Sequence, residues 1–236
     1  MSNEKILVVD DDRDIVDILR IYLENEGYQF FSASNYEEAL RYTKTGIDLI
    51  ILDVLLPGKD GFDICLELRK SITAPILFLS CKNDEMDKII GLSVGGDDYI
   101  EKPFLPGELM ARIRSNIRRS TSYSAGKQNS AISLGALRLD PVNREAAIQA
   151  RPIQLLPKEF DILHLFCRNP NRLFTKEEIF EFVWKDRSFE TDVNTIMVHI
   201  SNLRKKMGSN PSSPQIITIK GLGYKLVWRE ASKASL

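Results

Sequence analysis

Apolar positions fall in two rhythms along the chain, short continuous runs and longer stretches spaced three and four apart. Lys5 to Val9, Tyr28-Gln29-Phe30-Phe31, Ile47 to Leu52, Pro75 to Leu79 and Tyr99-Ile100 are the short runs. Between them, Ile15, Ile18, Leu19, Tyr22 and Leu23 share one helical face, as do Leu109, Met110, Ile113 and Ile117. Weaker helical patterns cover Glu37 to Tyr42, the stretch around Phe62, Cys65 and Leu66, and Asp84 to Val94. Strands apolar throughout are buried on both faces, the habit of a parallel sheet. Five strands alternating with five helices therefore predict an α/β doubly wound five-stranded parallel sheet with right-handed crossovers over residues 1–121.

The pattern changes after that. From Ser120 to Ser130 no apolar period survives, and residues 122–130 read as a flexible linker. Short strands are predicted at Ile132 to Leu134, Leu137 to Leu139, Glu145 to Gln149 and Ile153 to Leu155, with polar turns between them. A helix opens at Pro157, a favoured first position. Thr175-Lys176-Glu177-Glu178 is a capping box for a second helix ending near Trp184. A third runs from about Asp192 to Met207, with Val193, Ile196, Met197, Ile200, Leu203 and Met207 as its apolar stripe. Asn194, Val198, Ser201, Asn202 and Lys205 point the other way, and Arg204-Lys205-Lys206 make its end basic. Taken alone, this is equally a surface helix with a favourable basic C-terminus. Ile216 to Ile219 and Tyr224 to Val227 then flank Lys220-Gly221-Leu222-Gly223, a glycine-turned hairpin with a basic tip. Helix-turn-helix followed by a basic hairpin predicts an α+β winged helix-turn-helix domain over residues 131–229, with 230–236 as a tail.

Charge sharpens this division. Residues 1–121 hold 22 Asp and Glu against 15 Lys and Arg, a net of −7, and the rest of the chain nets +6. An acidic half suits metal or signalling chemistry, and a basic half suits a polyanion. No run approaches the roughly 20 apolar residues a membrane span needs. Met1-Ser2-Asn3-Glu4-Lys5 lacks the charged and apolar regions of a signal peptide. Cys65, Cys81 and Cys167 are too few and scattered for a disulfide framework or zinc site, so a reduced, cytoplasmic protein is expected.

Reactive groups in open α/β sheets gather at the carboxyl ends of the strands. Here the first strand ends in Asp10-Asp11-Asp12, the third in Asp53 before Pro57-Gly58, the fourth in Ser80, and Lys102-Pro103 follows the fifth. An Asp triplet by itself is also a solvated turn or helix cap. Acid, acid, hydroxyl and lysine on four strand ends compose a phosphoryl-transfer site. Asp53 would be the carboxylate nucleophile, Mg²⁺ and Lys102 would neutralise charge on the phosphoryl oxygens, and Ser80 would donate a hydrogen bond to one of them.

These residues, with Val8-Val9 before the triplet and Phe104 after Lys102-Pro103, make residues 1–121 resemble the receiver domain of two-component response regulators, a flavodoxin/CheY-like fold. The resemblance implies that a sensor histidine kinase phosphorylates Asp53. It implies Asp10, Asp11, Asp53 and the backbone carbonyl of Leu55 as Mg²⁺ ligands, Asp12 just outside, and a cis Lys102–Pro103 bond. It also makes Tyr99 a switch aromatic that turns inward as Ser80 is drawn to the phosphoryl group. Relatives pair through the fourth helix, fifth strand and fifth helix, which implies a homodimer on phosphorylation. The pairs would be Lys88–Glu108, Asp98–Arg112 and Asp97–Arg119, each used twice. Cys81 stands where many receivers have Ala, and a small buried hydrophobe is the expected role.

Val198-His199-Ile200-Ser201-Asn202-Leu203-Arg204-Lys205-Lys206 and Lys220-Gly221-Leu222-Gly223-Tyr224 make residues 131–229 resemble the effector domain of the OmpR/PhoB family. By that resemblance Asn194, Ser201, Asn202, Arg204 and Lys205 face double-stranded DNA, Lys220 is the wing contact, and two effector domains bind tandem half-sites. His199 is then a packing and backbone-contact residue and not a metal ligand. Trp184-Lys185-Asp186-Arg187-Ser188-Phe189-Glu190 corresponds to the loop related activators offer to RNA polymerase. Two departures stand out: Leu156 replaces a helix-capping Thr, and Ser201 sits where relatives are often basic. The expected function is phosphorylation-controlled regulation of transcription, without enzymatic turnover and with no membrane partner. One rival is a DNA-binding regulator with a vestigial receiver. The other is an Asp-nucleophile phosphatase, but these carry a second Asp two residues on, where this chain has Leu55.

Overall fold

The computed structural model describes residues 4–82, 84–121, 131–184, 194–209 and 213–228, excluding the side chains of 118–121 and Asn194. The chain divides into two compact units, one ending at Thr121 and one beginning at Ser122.

In the first unit β1 (Lys5–Val9), β2 (Gln29–Ala33), β3 (Leu49–Leu52), β4 (Ile76–Ser80) and β5 (Asp98–Glu101) form one sheet in the order β2-β1-β3-β4-β5, every pair parallel. Helices α1 (Arg13–Asn25), α2 (Tyr36–Tyr42), α3 (Gly61–Leu68), α4 (Glu85–Ser93) and α5 (Pro106–Thr121) alternate with the strands. β3 shows why its sequence is apolar without alternation. Ile50 and Leu52 join Phe62, Ile64 and Leu68 in one core, whereas Leu49 and Ile51 join Leu19, Leu23, Leu109 and Ile113 in the other. A fully buried side chain of this size contributes about 1.5–3 kcal/mol. β3 begins two residues later than expected because Asp48 leaves the apolar run. Its carboxylate accepts from the Lys5 N–H at 2.8 Å.

The loops feeding the helices end in short polar caps. Asp12 accepts from Asp14 and Ile15, Asn35 from Glu38, Asp60 from Phe62 and Asp84 from Met86. Asp12 thus serves α1 and stands outside the acid site.

In the second unit β6 (Ile132–Leu134), β7 (Leu137–Asp140), β8 (Glu145–Ile148) and β9 (Arg151–Ile153) make an antiparallel sheet. The fourth strand was expected at Ile153 to Leu155 and lies two residues earlier. Gln149 and Ala150 both take positive φ, 50° and 62°, and form the tight turn themselves. Neither is a residue that announces such a turn. Then follow α6 (Pro157–Arg168), β10 (Leu173–Phe174), α7 (Lys176–Trp184), α8 (Asn194–Met207), β11 (Gln215–Ile219) and β12 (Gly223–Val227). β10, too short to announce itself in sequence, joins β12 and β11 in a three-stranded sheet. Phe160, Phe166, Phe174, Trp184, Ile196, Ile200, Leu203 and Leu226 build the common core.

The capping box of α7 is reciprocal. Thr175 Oγ1 accepts from the Glu178 N–H at 3.1 Å, and Glu178 accepts from the Thr175 N–H at 3.0 Å. Leu156 provides no acceptor for α6, but Glu159 accepts from the Leu156 N–H at 2.7 Å. Half of a capping box therefore survives there.

Candidate functional site

β1 and β3 are neighbours from which the chain winds in opposite directions, so a crevice opens at their carboxyl ends. Val9 pairs with Leu52, which brings Asp10 and Asp53 out of the sheet at one level. Ser80 closes β4 and pairs with Glu101, the residue before Lys102. The Lys102 Nζ donates to Asp10 Oδ2 at 2.7 Å and to Asp53 Oδ2 at 2.9 Å. The Lys102–Pro103 bond is cis, as expected.

Asp10 and Asp53 are buried and Asp11 is exposed, yet one oxygen from each lies within 4.8 Å of the others. Three carboxylates facing one ammonium leave the group short of positive charge. Burial pushes the Asp10 carboxyl above its usual range, against the pull of the Lys102 hydrogen bond and of the Asp12 N–H at 2.9 Å. Burial works to lower the Lys102 ammonium, but its bonds to Asp10 and Asp53 outweigh this and hold it above its usual value. Hard oxygen donors grouped this closely fit a divalent cation. The other Asp53 oxygen, Oδ1, accepts from the Leu55 N–H at 3.1 Å.

Ser80 is fully buried and its Oγ accepts from the Lys82 N–H at 3.2 Å. The Tyr99 hydroxyl donates to the Lys82 carbonyl at 2.9 Å, so Lys82 joins both groups through its backbone. Tyr99 is 8% exposed, and burial pushes its phenol up to about 12, with a hydrogen bond to Ser80 opposing. The ring already occupies the inner position that the sequence reading reserved for the phosphorylated state. Cys81 corrects a second expectation: it is exposed, whereas Cys65 and Cys167 are buried and their thiols are pushed up to about 12 by burial. The side chain at 81 leaves the core because β4 ends at Ser80 and position 81 begins the loop beyond it.

The charges expected to pair two copies are tied within one. Lys88 bonds Glu101 at 2.5 Å, and Arg112 spans Asp98 at 2.8 Å and Glu108 at 3.0 Å. Asp97 departs from its expected role as an interface charge. It is 0% exposed, pairs with Arg69 at 2.6 Å and accepts from the Ile76 N–H at 3.0 Å. Burial of this carboxylate needs a cation on the inside, and Arg69 supplies it where the sequence reading had Arg119. The Arg119 side chain lies outside the described residues.

In the second unit part of the α8 face expected to meet DNA is turned to solvent. Ser201 and Lys205 are exposed and Asn202 is half-buried, while Lys220 is exposed at the tip of the β11–β12 hairpin. Arg204, expected to contact DNA, is engaged within the domain. Its guanidinium donates to the Ile216 carbonyl and to Thr218 Oγ1, each at 2.9 Å, and so straps α8 to the hairpin. Lys206 pairs with the buried Glu159 at 2.6 Å. Met197 and Val198 exchange their expected places: Val198 is buried and Met197 is 46% exposed. His199 is buried with its ring 5.7 Å from that of Trp184, in keeping with a packing role. Trp184, expected to open the polymerase-contact loop, is 2% exposed and stacks on Phe180 at 4.8 Å, so its ring belongs to the core and is not presented as a contact. Positions 185–190 and the Asn194 side chain lie outside the described residues, as does the linker at 122–130. No described helix is long and apolar enough to cross a membrane.

Comparison with known proteins agrees with both units. Residues 6–114 match the family described as response regulator receiver domain, and residues 150–226 match the family described as transcriptional regulatory protein, C terminal. The chain is 40% identical over 228 residues to the regulatory protein VanR of Enterococcus faecium, covering 95% of this chain and 99% of that one. It is 41% identical over 233 residues to the alkaline phosphatase synthesis transcriptional regulatory protein PhoP of Bacillus subtilis, covering 95% and 97%. A solved RitR mutant superposes at TM-score 0.75 with 25% identity, covering 96% of this chain and 100% of that one. DrrB, a Thermotoga maritima OmpR/PhoB homolog, superposes at TM-score 0.50 with 28% identity, again over 96% and 100%.

Proposed function

The chain belongs to the two-component response regulators of the OmpR/PhoB type, a receiver domain joined to a DNA-binding domain that regulates transcription, and we propose that phosphorylation of Asp53 controls it. A histidine kinase partner and DNA binding come with that membership. The observation that carries the finer reading is the Lys102 ammonium bridging Asp10 and Asp53 at the sheet's crevice, with Asp11 alongside.

An Asp53 carboxylate oxygen attacks the phosphorus of the kinase phosphohistidine. The O–P bond forms as the P–N bond breaks, and the imidazole leaves with its electron pair. Lys102, already held at the crevice, balances negative charge on the phosphoryl oxygens, and the Ser80 hydroxyl donates to one of them. Asp10, Asp11, Asp53 and the Leu55 carbonyl would hold Mg²⁺, which supplies further charge neutralisation when bound. Leu55 occupies the position where a phosphatase of this chemistry keeps its acid/base carboxylate, so the acyl phosphate is a stored signal and not a turnover intermediate.

The added charge of about −1.5 to −2 draws Ser80 to the phosphoryl group and stabilises the inward Tyr99. Two copies then meet through the surface of α4, β5 and α5, with Lys88, Glu108, Asp98 and Arg112 exchanging partners across it. In each copy the Arg112–Asp98 pair is nearly buried, at 11% and 4% side-chain exposure, so exchanging partners gives back about what it costs and sets register more than strength. The paired effector units bind tandem half-sites in the cytoplasm, and the loop after Trp184 meets RNA polymerase.

The test is charging the full chain with acetyl phosphate. One phosphoryl group per chain is expected by intact mass, dependent on Mg²⁺ and abolished by chelation, together with tighter operator binding. A charged protein that binds its operator no better than the uncharged one refutes the control mechanism. Lys205→Ala tests the reading helix separately. It should weaken binding to all duplexes and reduce the slope of log affinity against log salt by about 1, the loss of one phosphate contact. An unchanged slope argues against α8 as the DNA-facing helix.

A further inference from the structure

We infer that Met197 is a specificity-determining residue of the DNA interface, reading the C5-methyl group of a thymine in the major groove. This rests on the DNA-binding role of the second unit. Met197, Ser201 and Lys205 are spaced by four along α8, which stacks them in one ridge, and all three are exposed. The opposite side of the helix is complete without Met197, since Ile196, Ile200, Leu203 and Met207 already fill the core. Two of the three basic residues at the end of α8 are occupied inside the domain, Arg204 by β11 and Lys206 by Glu159.

What the ridge offers is therefore a thioether, a hydroxyl and one ammonium. The Lys176 Nζ lies 3.3 Å from the Met197 Sδ and brings a second cation to the other end. Positive charge at both ends with one apolar group and one hydroxyl between them complements the major groove, where phosphates rim a floor on which thymine alone presents a methyl group. A large apolar side chain at 46% exposure on this ridge suits that methyl.

The experiment uses the full chain and an operator selected by it from random duplex DNA. Each thymine of the selected site is replaced in turn by deoxyuridine, which lacks only the methyl. The wild-type protein should lose about fourfold in affinity at one thymine per half-site, the factor for one methyl group. Met197→Ala, at an exposed helical position, should bind the unmodified operator correspondingly less well and be indifferent to that replacement. Lys205→Ala should keep the wild-type sensitivity to it. Additive losses at every thymine, or a selected site with no sensitive thymine, overturn the assignment to Met197 and leave DNA binding standing. A chain that selects no site overturns both.

Discussion

Asp53→Asn should take up no phosphoryl group from either a histidine kinase or acetyl phosphate. The amide nitrogen is not a nucleophile, and removing a nucleophile of this kind typically lowers the rate by on the order of 10⁴-fold or more. The substitution keeps the shape of the side chain, and the Leu55 N–H that reaches Oδ1 at 3.1 Å keeps a carbonyl-type acceptor. Lys102 loses one ionised partner and retains Asp10 at 2.7 Å, so the crevice stays assembled. Loss of labelling is therefore a chemical effect, read by intact mass against a folded control. Labelling equal to the wild type would refute the phosphoacceptor assignment outright.

Gly223→Ala should disable the second unit and leave the first intact. Gly223 opens β12 at φ +143°, and a Cβ there would lie 2.0 Å from the Phe174 carbonyl oxygen and 3.0 Å from the Thr175 Cα. Both neighbours are backbone and cannot step aside without moving β10 from β12. A strained conformation and overpacking each cost about 1–3 kcal/mol, a large part of the 5–15 kcal/mol typical of a whole domain. Trp184 and Trp228, the two tryptophans of the chain, both stand in the second unit, so thermal unfolding followed by tryptophan emission reports on that unit. Its midpoint should fall well below the wild type's and operator binding should be lost at physiological temperature, while Asp53 still accepts phosphate. An unchanged midpoint would show that the hairpin tolerates the added carbon.

The alternation of strands and helices, the crevice acids, Ser80 and Lys102 were all readable from sequence because each is a local event. A strand of apolar residues ends, and the next residue necessarily sits at the sheet's rim. What escaped depends on partners distant in sequence. Asp97 looked like a surface charge until Arg69, 28 positions away, was seen to hold it inside. Arg204 looked like a free cation until β11 took its donors. Met197 and Val198 are adjacent on a helix, and which of them faces the core is settled by where α6 and α7 press on α8, not by periodicity. Gln149 and Ala150 form a turn with residues that give no warning of it, held in place by the pairing of β8 with β9.

Lys82 touches Ser80 through its N–H and Tyr99 through its carbonyl, so the path from crevice to aromatic ring is made of main chain. Its ammonium meanwhile sits 3.5 Å from Asp87 and 3.8 Å from Asp60, outside that path. Exchanging the side chain at position 82 would therefore change the electrostatics around this loop and leave both main-chain hydrogen bonds in place. The main chain and the side chain of this one residue thus serve separate sets of contacts.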